Sequence, residues 1–299
     1  MTATARRRWT ATATAALLWL PLAGCGGDDE APFLKDGMRV GAKSDQPGTS
    51  YSPHDGEFNG LDMTVTRELL GRAGVEPPYF SGVLSKNRGS ALRDGHLDLV
   101  AATYSITADR MKPEEEGGED LDFVGPYAST QQGVLVRSAD ADELRNLGDL
   151  NGKQVCVWRG TTSATEMKRE AYRKISVRTE EDAGYCVKAL LAKEVDAVST
   201  DRLILYGFME EHPSLKVVPG IKFNSVPNDY GIAMAKGHRE DCEKLRDLLT
   251  AYVDSADWDR DVQNNLPAMP RAERDEAKPT AQEISDLSCR DKPANSGED

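Results

Sequence analysis

Histidine, cysteine and aromatic residues are scarce in this chain of 299 residues: four histidines, five cysteines and 6% aromatic side chains. His54, His96, His212 and His238 are scattered, and neither H-E-x-x-H nor G-x-S-x-G occurs, which excludes the common zinc-protease and serine-hydrolase signatures. No two cysteines have C-x-x-C spacing, so a structural zinc site is not expected. Basic residues are outnumbered, 37 Lys and Arg against 50 Asp and Glu, for a formal charge of −13. That balance argues against nucleic acid and against a polybasic membrane surface. Long apolar runs are missing too. The one sizeable stretch, Trp9 to Leu22, is broken by threonines and is shorter than the ~20 residues of a membrane-spanning helix. No internal repeat occurs. The remaining chain is long enough for about two domains.

The N-terminus reads as an export signal. Arg6, Arg7 and Arg8 precede the apolar stretch, and Leu22-Ala23-Gly24-Cys25 closes it. Leu-Ala-Gly-Cys resembles a lipoprotein signal, in which the cysteine becomes the acylated first residue. Residues 1–24 are then the signal peptide, Cys25 the lipidation site, and 25–36 a polar tether. Two acyl chains at Cys25 would suffice for stable anchoring. Setting Cys25 aside leaves Cys156, Cys186, Cys242 and Cys289, an even number in an oxidising compartment. Three pairings are possible. Cys156 with Cys186 is favoured because both fall in one predicted lobe. Cys242 with Cys289 would then tie the tail to the last long helix. Buried free thiols are the alternative.

The chain is organised around residues 98–110, D-L-V-A-A-T-Y-S-I-T-A-D-R. Leu97, Leu99 and Val100 to Ala102 form the apolar run of a buried parallel strand. The hydroxyls of Thr103, Tyr104, Ser105 and Thr107 follow, and then Arg110, whose planar fork suits a carboxylate. Ligands of open α/β sheets gather beyond the carboxyl ends of strands. Before this stretch come a strand at 38–42, a Pro-Gly turn, and a helix at 61–73 ended by Gly74. Such a strand, loop and helix open an α/β lobe. After it comes K-P-E-E-E-G-G-E-D-L-D at 112–122, an acidic loop expected to be solvated. Apolar alternation from Gly133 to Val136 suggests a crossover to a second lobe, with a return at 229–235. In that lobe a strand at 154–158 leads through Arg159 to Ser163 into a helix, with Ser163 and Glu166 as a capping box. Backbone N–H groups at such a helix start favour an anion. A helix is expected at 239–254, packed by Trp258. From residue 263 on, polar composition predicts a poorly ordered tail.

Several of these stretches together carry a resemblance: K-x-D-Q-P-G at 43–48, N-R at 87–88, A-T-Y-S-I-T-x-x-R at 102–110, F-V-G-P-Y at 123–127, G-T-T at 160–162 and V-D-A-x-x-x-D at 195–201. They resemble the polar amino-acid-binding proteins of bacterial ABC importers, and their glutamate-binding lipoprotein branch in particular. The resemblance covers residues 37 to about 260 and is broken by the acidic loop. It implies a two-lobed α/β fold of the type II periplasmic-binding-protein kind, with lobe 1 at 37–133 plus 230–262 and lobe 2 at 134–229. It assigns Arg110 to the ligand α-carboxylate, with Thr103, Ser105, Thr161 and Thr162 adding hydrogen bonds, and Asp201 to the α-ammonium. Ser85 and Arg88 match positions that approach a side-chain carboxylate. Lys43 and Arg88 are then two cations for which a neutral amino acid offers no partner. Glutamate or aspartate is therefore the expected ligand, with glutamine as the alternative. The protein would be a monomer, not an enzyme, without cofactor or metal, held on the outer face of the cytoplasmic membrane beside an ABC permease. A sensor receptor with the same closure is the rival role. A dehydratase on this fold is a further one, but no His or Glu stands beside the motif loops to act as its acid.

Overall fold

The computed structural model describes residues 1–2, 32–54, 56–223 and 226–290. The expectations of signal cleavage and of acylation at Cys25 lie outside the described residues. From Phe33 onward the chain builds two five-stranded sheets and a small three-stranded one. In the first sheet the order is Tyr79–Gly82, Arg39–Ala42, Leu99–Val100, Asn228–Ala235 and Leu121–Thr130. Its first three strands are parallel, and Asn228–Ala235 is antiparallel to both its neighbours. Val40, Ala42, Leu99, Val100, Ala101 and Ala102 are all buried. That is why these strands read as continuous apolar runs: both faces are covered.

The second sheet has the order Ser176–Glu180, Gln154–Trp158, Ala197–Asp201, Gln132–Arg137 and Leu215–Val217. Gln132–Arg137 pairs antiparallel with Ala197–Asp201 and with Leu215–Val217, so it is a central strand of lobe 2. The expected crossovers at 133–137 and 229–235 are therefore displaced. Those segments lie inside the two sheets, and the chain passes between lobes at Gln131 and again across 218–227. Gly133 to Val136 are all buried, so this segment is a sheet strand covered on both faces rather than an alternating crossover.

Two disulfides join Cys156 to Cys186 and Cys242 to Cys289. The first ties the strand Gln154–Trp158 to the helix Ala183–Leu191 of the same lobe. The second holds the end of the tail to the helix Arg239–Asp254. Trp258 is fully buried and its indole N–H donates to the Tyr127 carbonyl at 2.8 Å.

The tail corrects the expectation of disorder. Residues 263–290 complete one helix, Ala256–Asn265, and form two more, Arg271–Ala277 and Ala281–Leu287. Leu266, Met269, Ala277 and Ile284 are buried. Thr280 and Glu283 form a reciprocal capping box. A few apolar anchors, a cap and a disulfide order a segment whose composition is mostly polar. The cap at 160–166 also differs: Thr161, not Ser163, accepts from the Ala164 N–H and starts the helix Thr162–Glu166.

Candidate functional site

Where the two lobes meet, Gln46, Ser85, Arg88, Thr103, Ser105 and Arg110 of lobe 1 face Trp158, Thr161, Thr162, Thr200, Asp201 and Ile204 of lobe 2. The lobes are closed down on each other, leaving a cavity of about 10 Å³ between these side chains. That is room for roughly one water. Most of these wall residues sit at or just beyond a strand's carboxyl end or at a helix start, where ligands of open α/β sheets gather.

Arg88 is buried at the first turn of the helix Arg88–Arg93. Its Nε donates to the Ser85 carbonyl at 3.0 Å, and its Nη1 donates to the carbonyls of Ala102 at 2.8 Å and Thr103 at 3.3 Å. Burial, and Arg110 beside it, push its pKa down to about 10, still far above neutrality, so it stays cationic. Arg110 donates from Nη1 to the Ser105 carbonyl at 2.5 Å. Both guanidinium groups lie over the Tyr104 ring, at 4.0 and 4.4 Å from its centroid. Such cation–π contacts orient a guanidinium without consuming its N–H groups. One acceptor then serves both arginines across the lobes: the Gly160 carbonyl takes Arg88 Nη2 at 2.8 Å and Arg110 Nη2 at 3.3 Å. Gly160 has φ +77°, and a Cβ there would lie 2.5 Å from the Lys86 backbone. Only glycine permits this approach of backbone to backbone.

Asp201 ends its strand and is buried. It occupies a helix N-cap position but makes no capping bond. Its carboxylate instead accepts from the Tyr230 hydroxyl at 2.7 Å and from Asn228 Nδ2. Burial raises its pKa to about 6, against the pull of those two hydrogen bonds and of Arg110. Thr103 adopts a left-handed backbone with φ +47°. Its N–H donates to Asp62 Oδ2 at 2.7 Å and its hydroxyl to Gln46 Oε1 at 2.8 Å. Asp62 also accepts from the Tyr127 hydroxyl at 2.8 Å, and burial raises its pKa to about 7. Thr161 spends its hydroxyl locally, donating to the Trp158 carbonyl at 2.8 Å. Trp158 Nε1 is buried with no acceptor among the described residues, an unused donor in the cavity wall.

Lys43 does not line this cavity and is not an unpaired cation. Its side chain is 0% exposed, ion-paired with Asp182 of lobe 2 and 3.6 Å from Asp45 Oδ1. Asp45 accepts from the Gly184 N–H of lobe 2 at 2.7 Å, and burial raises its pKa against the pull of Lys43. Lys43 is thus a clamp between lobes and, contrary to the sequence expectation, offers no unpaired charge to a ligand. The acidic loop is not wholly solvated either. Glu119 accepts from the Tyr104 hydroxyl and lies 3.7 Å from Arg110 Nε. Gln46, Asp62, Trp158 and Tyr230 were not singled out from the sequence; Gln46 stood in a motif already quoted, and the others carried no local signal. A wider groove of about 550 Å³ runs between the interlobe strands and the tail. Its charged lining is mostly acidic, so it does not suit a carboxylate. Among the described residues no three His, Cys, Asp or Glu side chains are grouped to hold a metal, and no helix is long and apolar enough to cross a membrane.

Two sheets joined by a pair of interlobe passages, with two arginines of lobe 1 facing a buried carboxylate of lobe 2, are the architecture of a two-lobed solute receptor. The chain belongs to the bacterial extracellular solute-binding proteins, family 3, whose pattern it matches over residues 38–265. It is similar to the glutamate-binding protein GluB of Corynebacterium glutamicum, with 30% identity over 84% of this chain and 87% of that protein. It is also similar to the ABC transporter glutamine-binding protein GlnH of Bacillus subtilis, with 31% identity over 62% and 64% of the two chains. Among solved structures, an ancestral arginine-binding protein bound to arginine superposes with a TM-score of 0.66 at 26% identity, covering 78% of this chain and 99% of the other.

Proposed function

We propose that this protein captures an acidic amino acid, glutamate or aspartate, by closing its lobes over it, and delivers the amino acid to an ABC importer. The observation that carries the reading is the pair of buried arginines sharing one acceptor from the opposite lobe. A ligand with two carboxylates gives each guanidinium its own anion, Arg110 the α-carboxylate and Arg88 the side chain. Asp201 takes the ammonium. A charge that leaves water needs such a partner, or the cost is several kcal/mol. Thr103, Ser105, Thr162 and the free Trp158 N–H surround the same space. Anchoring through Cys25 would keep the receptor beside its permease.

A glutamine ligand is the second reading, and the structure supplies an observation in its favour. Lys43 is paired with Asp182, and the Glu119 carboxylate tempers the positive charge at Arg88 and Arg110. Calorimetry with glutamate, aspartate, glutamine and arginine, on the wild type, Arg88→Ala and Arg110→Ala, separates the two. Tight binding of glutamate or aspartate that both variants weaken by at least about tenfold, roughly 1.4 kcal/mol, is the expected result. Best binding of glutamine or arginine by the wild type would overturn the acidic assignment. An Arg110→Ala protein that binds as well as the wild type would overturn the site itself.

A further inference from the structure

The segment after residue 265 packs on lobe 1 and reaches lobe 2 at the hinge through Glu273, and we propose that Glu273 is a positioning residue for ligand binding. Its carboxylate grips Arg202, the residue after Asp201, with Oε2 accepting from Arg202 Nε at 2.8 Å and Oε1 from Nη2. Arg202 is buried and also donates to Tyr206 Oη at 3.1 Å and to the Pro219 carbonyl at 3.3 Å. Its own N–H donates to the Gln131 carbonyl at 2.9 Å, so it sits at the passage between lobes. A bidentate arginine–carboxylate pair fixes direction as well as distance.

The other end of the segment is fastened to lobe 1. Cys289 is bonded to Cys242, and its N–H donates to the Phe123 carbonyl at 2.8 Å. The Ser288 hydroxyl both accepts from the Gly125 N–H at 2.9 Å and donates to its carbonyl at 2.7 Å. Lys278 pairs with Asp259 at 2.7 Å. The tail is therefore a brace from lobe 1 to the helix start that carries Asp201. A brace near the pivot moves little, but it limits the direction and range of the swing at the lobe tips. It stabilises the closed arrangement, in which Asp201 faces Arg88 and Arg110. The apparent affinity of a receptor scales with the population of its binding-competent form.

The inference rests on the reading that the lobes close over an amino acid, and its test includes an arm that needs no ligand. Dyes on exposed positions of the two lobes of the full chain report interlobe distance in the free protein, and stopped-flow dissociation of glutamate reports the lifetime of the closed form. Glu273→Gln should widen the distance distribution and raise the dissociation rate about fivefold or more, the low end of coupling between separate sites, with little change in association. Glu273→Asp should restore most of the effect, and Arg202→Lys should resemble Glu273→Gln. Unchanged distances and dissociation in folded Glu273→Gln and Arg202→Lys would overturn the brace. A lower melting temperature with unchanged distances would likewise overturn it, leaving Glu273 a surface stabiliser. Failure of wild-type protein to bind glutamate would count against the ligand reading, while the distance measurement still decides the brace.

Discussion

Asp182→Asn is a local change whose cost should fall on one state of the protein. Lys43 is fully buried between the lobes, with Asp182 as its nearest partner. Removing that charge leaves Asp45 Oδ1 at 3.6 Å and the Val83 carbonyl at 3.4 Å. Stripping one partner from a buried ion pair costs about 3–5 kcal/mol. Asp45 stays, and the Asp182 side chain is 13% exposed, so about half, ~2 kcal/mol, is the reasonable share. When the lobes part, water reaches Lys43 and the cost disappears. The penalty therefore appears in ligand binding rather than in folding. With tenfold per ~1.4 kcal/mol, the glutamate Kd should rise about 30-fold. Calorimetry measures this directly, and melting curves with and without ligand locate the penalty. The melting temperature should hardly move without ligand and should gain less on ligand addition than the wild type does. Removing both charges, in Lys43→Met with Asp182→Asn, should recover part of the loss, because no buried cation is then stranded. A Kd within about twofold of wild type, or an equal loss of melting temperature in free and liganded protein, would refute the clamp.

Two further outcomes concern pH. Asp201, raised by burial to about 6, must be ionised to hold an ammonium, so glutamate should bind about tenfold more weakly at pH 5 than at pH 7.5; flat calorimetric titrations across that range would contradict its role. Asp62 is raised by burial to about 7, so between about pH 4 and pH 7 the folded protein holds a proton that the unfolded chain releases, and stability falls as pH rises through that window. Asp62→Asn should accordingly be more stable than wild type at pH 8, by on the order of 2 kcal/mol, and the advantage should vanish near pH 4 in denaturant titrations.

Much of this architecture was legible because local chemistry and global placement agree. The run before Thr103 is apolar because its strand is buried on both faces, and the hydroxyls and Arg110 follow where that strand ends. Gly160-Thr161-Thr162 reads as a helix start and is one. The partnership of Lys43 with Asp182 could not be read, since 139 residues separate them and neither has a local pattern. Glu119 is only 15 residues from Tyr104, but its reach to Tyr104 and Arg110 had no signal either, because the acidic loop carries no periodic pattern. The tail was misjudged on composition, although Thr280 to Glu283 carries the T-x-x-E signature of a capped helix. The interlobe passages were misplaced by a few residues because a strand buried inside a lobe and a strand leaving it share the same apolar character.

The Gly160 carbonyl gives this receptor a tethered competitor. A backbone oxygen that accepts from both Arg88 and Arg110 occupies the donors a free carboxylate would need, at the high effective concentration of a group on the same chain. Capture of a solute is then an exchange: the incoming anion must win two guanidinium groups from an acceptor that cannot diffuse away. Such a contest favours a full negative charge over a neutral dipole. On the proposed acidic-ligand reading, preference for an anion over an uncharged side chain would rest in part on this single peptide oxygen.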